Sequence, residues 1–225
     1  MHFGGDIDEK YMHFDRLRQV TDKTVAFIDN LEMDVNADYV IKTKKGDLPW
    51  NDNANRLMSM TAAAHMDADW ILSIDSDEDI DHRINSRDDM EEIINDLEKA
   101  GCNSMWFALR EMWESEYIYR ADGLWGTKTR LRLKKNFLKG KEAAIKPSIE
   151  KKYHGGFNYP GIPIKAGPAV YEIYHYGCVT ESKRQQRVAK YNELDPDKKF
   201  QRMGYDYMLD YSGLELKTVE GKNLQ

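Results

Sequence analysis

An α/β domain with a mostly parallel sheet flanked by helices is the fold this sequence predicts, on three observations. Short β-branched runs alternate with stretches of helical period up to about residue 110, the pattern of strands joined through helices. Two of those runs end in carboxylates, Asp29 and the pair Asp75/Asp77, and ligands of open α/β sheets gather off the carboxyl ends of strands. No internal repeat and no Pro/Ser-rich linker divides the 225 residues, so one domain is expected.

Taken in order, Thr24 to Ile28 is a β-branched run closed by the turn signal Asp29-Asn30, and Asp38 to Thr43 reads as a second strand. Asn53 to Met66 carries Leu57, Met60, Ala64 and His65 at helical spacing. Trp70 to Ile74 reads as a buried strand. Ser86 reads as the N-cap, with Asp88 and Asp89 in the first turn, of a helix to about Ala100 that Gly101 terminates. Met105 to Leu109 gives another strand. From Glu111 to about Lys165, Trp, Tyr, Gly and basic residues mix without period, so a loop-rich half with short strands is expected. Tyr171 to Tyr176 is strand-like, and Ser182 to Leu194 is a basic helix closed by Asp195-Pro196. The chain thus divides into 12–110, 111–195 and a peripheral appendage, 196–225.

Composition narrows the function. With 41% apolar residues the chain can bury a core. A net charge of −6 argues against a dedicated nucleic-acid binder. Cys102 and Cys178 lack ligand spacing and read as free thiols of a reducing compartment. The start has neither a basic nor an apolar leader region, and no run is long enough to span a bilayer. A cytoplasmic protein without a transmembrane segment is expected.

The most telling stretch is Asp69-Trp70-Ile71-Leu72-Ser73-Ile74-Asp75-Ser76-Asp77-Glu78. In an extended strand end, Asp75 and Asp77 would project on one side. Two hard oxygen donors there suit a divalent cation that also grips phosphate. A calcium loop counted from Asp75 would want Gly and Glu where Ile80 and Ser86 stand. A haloacid-dehalogenase phosphatase would want Thr or Val in place of Asp79.

The string ADWILSIDSDE, with Asn55-Arg56-Leu57-Met58 before it and His175-Tyr176-Gly177 after it, resembles the family 2 glycosyltransferases of the GT-A, Rossmann-like fold. The resemblance covers roughly residues 15 to 195, and HYGCVTESKRQQRVAKYNELDP is similar to bacterial and phage members. It implies a nucleotide-binding half followed by an acceptor half. Asp29 would then accept from the nucleotide base, and Arg56 would face the base or its phosphates. Asp75 would hold ribose or a metal-bound water. Asp77 would ligate Mn²⁺ or Mg²⁺ on the diphosphate, with His175 closing the metal site. An inverting enzyme also needs a carboxylate base on the acceptor side. Glu111, Glu114 and Asp122 are the candidates, and Asp122 is favoured because YRADGLWG sets it in a turn between aromatics.

The implied partners are a UDP- or GDP-linked sugar donor and a hydroxyl acceptor: a glycan, a lipid-linked acceptor or modified nucleic acid. The family begins with a strand that the polar Met1 to Tyr11 does not obviously supply. A shortened member, one that borrows a strand from an upstream partner fragment or a second copy, or an inactive one is therefore expected.

Plainer readings stand beside these. Arg56 reads also as an exposed helix residue, and His175 as a structural histidine. Trp113, Trp125, Tyr119 and Tyr153 are either packing residues or sugar platforms. Lys183, Arg184, Arg187 and Lys190 make a solvated face or an anion-attracting one, and His154 is a further candidate base or ligand. Two rival functions follow: a degenerate GT-A scaffold that binds without catalysis, and a metal-dependent phosphatase acting through Asp75.

Overall fold

A computed structural model describes residues 2–3, 14–28, 34–43, 52–139 and 162–220. They form a mixed α/β fold with two principal sheets and five α-helices. The first sheet is parallel: β1 (His2–Phe3) pairs with β2 (Val25–Ile28), which pairs with β3 (Tyr39–Lys42). The expectation that no strand precedes β2 is thereby corrected, since His2 and Phe3 lie beside Phe27 and Ile28. Two residues are too few to leave a period in the sequence. Helix α1 (Phe14–Val20) buries Phe14, Leu17 and Val20, spaced three apart along one face.

The second sheet is ordered β4 (Trp70–Leu72), β8 (Thr129–Lys135), β6 (Ser104–Glu111), β9 (Ala166–His175) and β5 (Glu78–Ile80). Only the β6–β9 pair in it is parallel, and the other three pairs are antiparallel. The expected mostly parallel sheet is thus corrected. Its missing element was β8, whose Thr-Arg-Leu-Arg-Leu-Lys-Lys does not read as a buried strand, although Arg132, Leu133 and Lys134 are buried. Residues 111–135 accordingly hold β7 (Ile118–Arg120), α4 (Gly123–Thr127) and β8, more regular structure than the expected loop-rich half with short strands.

Helix α2 (Asp52–His65) packs Met60 and Ala64 against Ile71 and Leu138. Helix α3 (Arg87–Lys99) has the expected limits for the expected reasons. Ser86 accepts from the Asp89 amide while Asp89 accepts from the Ser86 amide, and Gly101 takes φ 68° beyond the last turn. Met90, Ile93 and Leu97 face the main core with Ile80, Ile84, Met105, Phe107, Leu133 and Ile173.

Helix α5 (Glu181–Leu194) is capped by Thr180. Residues 196–220 are no appendage: β10 (Leu216–Thr218) pairs with β7, and Tyr205, Met208 and Val219 are buried. Aromatic and methionine side chains in that stretch supplied core that its polar composition masked. Among the described residues no helix is long and apolar enough to cross a membrane.

Candidate functional site

Three strands bring one row of residues to the same level. In the registers of the second sheet, His175 on β9 lies opposite Glu78 on β5 and beside Glu111 on β6. Before β5 the chain makes a tight turn, closed by the Glu78 amide donating to the Asp75 carbonyl at 3.1 Å. Glu78 Oε2 also accepts from the Asp75 amide, at 3.0 Å.

That turn corrects the expectation that Asp75 and Asp77 share one side. The period-two alternation applies only to extended backbone. Asp75 instead pairs with Arg132 Nη2 at 2.8 Å, and Arg132 pairs with Glu78 as well. Asp77 turns to His175, with its Oδ2 3.2 Å from Nε2, and its carbonyl accepts from the Tyr176 amide at 2.8 Å.

The other imidazole nitrogen is also engaged. His175 Nδ1 lies 2.5 Å from Glu111 Oε2, and Glu111 Oε1 accepts from Lys128 Nζ at 2.9 Å. Lys128 rests over the Trp125 ring, 3.9 Å from its centroid. From α5, Arg187 Nη1 reaches 3.2 Å from His175 Nε2 and 3.9 Å from Asp77 Oδ2. Two carboxylates thus face Lys128 and Arg187, with His175 between them.

Burial works against every charge here, and the neighbours decide the outcome. For His175, Glu111 and Asp77 outweigh the cost of burial and push the imidazole up to about 10. For Asp77, the His175 charge overcomes burial and holds the carboxyl to about 2. Glu111 is held well below the usual carboxylate range by His175 and Lys128 against the same burial.

A raised imidazole stabilises the fold fully below its ordinary value, about pH 6.5, and that contribution is lost as the pH rises through about 10. Asp77 acts in the opposite window, contributing above its usual 3.8 and losing this as the pH falls through about 2. The protein is therefore expected to lose thermal stability between roughly pH 7 and 10 more steeply than its His175→Gln variant when melted in a chelating buffer. Parallel melting curves across that range would show this, and coincident slopes would contradict it.

His175 and Asp77 offer a borderline nitrogen and a hard oxygen on one spot. If Nδ1–H donates to Glu111, Nε2 presents a lone pair beside Oδ2, the arrangement in which a carboxylate fixes a metal-binding histidine. Among the described residues no group of three or more His, Cys, Asp or Glu gathers to hold a metal ion. The donor chemistry fits Mn²⁺ or Mg²⁺ as a two-residue set, whose remaining positions would fall to phosphate oxygens and water.

The other expected site residues go elsewhere. Asp29, Tyr153 and His154 lie outside the described residues, and Arg56 falls in α2 with its side chain likewise outside them. Asp122 is gripped by Arg120 at 2.7 and 3.0 Å, which together with a backbone bond from Glu215 holds its carboxyl below the usual range. Low basicity handicaps it as a proton acceptor.

Glu114 pairs with Arg184, which is fully buried against Trp113. Trp113, Trp125 and Tyr119 are buried packing residues and not platforms. Nor is α5 a uniformly solvated face, because Arg184 and Arg187 point inward. Sequence reasoning missed Lys128, Arg132 and Glu78 as site residues, and it placed Arg187 only on a solvated or anion-attracting helix face. Arg184, Val188 and Tyr191 recur at helical spacing around Arg187, the one signal that could have marked an inward stripe.

No family model matches the chain, and no curated protein matches it.

Proposed function

We propose that the chain is a metal-dependent inverting glycosyltransferase of GT-A type, which transfers a sugar from a UDP- or GDP-linked donor to a hydroxyl acceptor. The observation that carries this reading is the convergence of Asp77 Oδ2 and His175 Nε2, 3.2 Å apart, with Glu111 behind the imidazole. Asp77 and His175 would hold Mn²⁺ or Mg²⁺, and the ion would neutralise the departing diphosphate.

The charge count supports the same ligand class. Once His175 has given up its proton to a bound ion, Asp77 and Glu111 balance Lys128 and Arg187, so the divalent ion would leave the pocket with a surplus of positive charge. A phosphoanhydride supplies the matching anion. Glu111 serves this reading best as the residue that orients His175, given its burial and its two ion-pair partners.

Asp77→Ala is expected to abolish Mn²⁺-dependent binding of UDP and GDP, as read by calorimetry, with an unchanged circular dichroism spectrum. Unchanged nucleotide and metal affinity in that variant would overturn the proposal. One observation favours a second reading, a nucleotide-binding scaffold without transfer: Glu111 and Asp122, two of the expected bases, are both committed to cations. Donor hydrolysis measured beside binding separates the two, because a scaffold binds the donor and leaves it intact.

A further inference from the structure

Arg187 stands where a cation between Asp77 and His175 would stand. Its Nη1 lies 3.2 Å from His175 Nε2 and 3.9 Å from Asp77 Oδ2, and its Nε donates to Tyr191 Oη at 3.3 Å. The other terminal nitrogen, Nη2, donates to no described residue, and the side chain is 25% exposed.

Gly177 makes the seat. A Cβ there would overlap Nη1 and lie 2.8 Å from both Asp77 Oδ2 and His175 Cε1. Only glycine lets the carboxylate, the imidazole and the guanidinium crowd together at this point.

We infer that Arg187 is an exchangeable cation, one that pairs with Asp77 beside His175 in the free protein and moves onto the diphosphate when a divalent ion takes its place. The inference rests on the metal-dependent reading above. A guanidinium and a divalent ion cannot share this spot, because their repulsion at contact distance opposes the attraction each has for Asp77. The released fork, whose Nη2 donates to no described residue, matches the paired oxygens of a phosphate. The exchange keeps positive charge beside Asp77 at every stage and delivers a second cation to the leaving group.

Calorimetry on the full chain compares wild type, R187Q and R187K with two probes: Mn²⁺ alone, and inorganic pyrophosphate at saturating Mn²⁺. Loss of the competing charge is expected to make R187Q bind Mn²⁺ about tenfold tighter, and loss of the fork to make it bind pyrophosphate about tenfold weaker. R187K keeps the charge without the fork, so its Mn²⁺ affinity should stay near wild type while its pyrophosphate affinity falls.

A purely structural role would weaken both affinities together. Any R187Q result in which the two affinities do not move in opposite directions overturns the inference. If D77A loses pyrophosphate binding while R187Q retains it, the proposed function stands and the exchange falls. A wild type that binds neither probe overturns both.

Discussion

Replacing Arg132 with methionine is expected to destabilise the protein by about 3–5 kcal/mol, the largest stability effect of any single substitution near the site. Arg132 is buried on β8 and bonds to both Asp75 and Glu78. Its removal takes a cation from Glu78, which is 2% exposed and keeps the Asp75 amide as a donor, so a buried carboxylate loses charge compensation. A domain of this size loses roughly 2–4 °C of melting temperature per kcal/mol, so a drop of about 10 °C is the expected reading.

The damage should not stay local. Arg132 anchors both ends of the Asp75–Glu78 turn, and that turn aims Asp77 at His175. Mn²⁺ affinity should therefore fall along with stability. The double variant R132M/E78Q tests the cause, because neutralising the buried carboxylate should recover much of the lost stability. A double variant as unstable as the single one would show that methionine packs badly and that the ion pair is not the reason.

The parts of this molecule that were legible in its sequence share a property: their signals are local. The limits of α3 follow from Ser86, Asp89 and Gly101, each of which acts within its own turn. Asp77 and His175 carried no such local signal, and only the family resemblance paired them. What was not legible depends on pairing across the chain. Whether β6 runs parallel to β9 or antiparallel to β8 is a property of connections, and strand composition does not record it.

The Asp75/Asp77 expectation failed for a related reason. Side-chain direction was inferred from extended backbone, whereas the Glu78 amide folds that segment into a turn. Arg132 and Lys134 on β8 lay in the stretch expected to be loop-rich, and their burial left no local trace because burying a charge needs partners from other elements. For Arg132 those partners, Asp75 and Glu78, lie 57 and 54 residues away.

Glu111→Gln separates a positioning carboxylate from a catalytic base, and the pH dependence of metal binding carries the test. In the wild type His175 keeps its proton up to about 10, so on the proposed reading Mn²⁺ would have to displace that proton throughout the working range. The affinity is then expected to climb about tenfold for each pH unit between roughly pH 6 and 8.5, with one proton released per ion.

Glutamine keeps the shape of Glu111 and an oxygen for Nδ1–H, but removes the negative charge that does most to hold the imidazole protonated. The variant's slope should flatten inside the same range as its imidazole titrates earlier. At high pH, where the proton no longer competes, loss of the orienting carboxylate should leave Mn²⁺ binding about 10–100-fold weaker than wild type. Potentiometric proton counts alongside calorimetry would read both effects. A variant with the wild-type slope and affinity that nonetheless cannot transfer sugar would instead make Glu111 the group that takes the acceptor proton. Its place on β6, in register with His175, would then belong to the substrate and not to the imidazole.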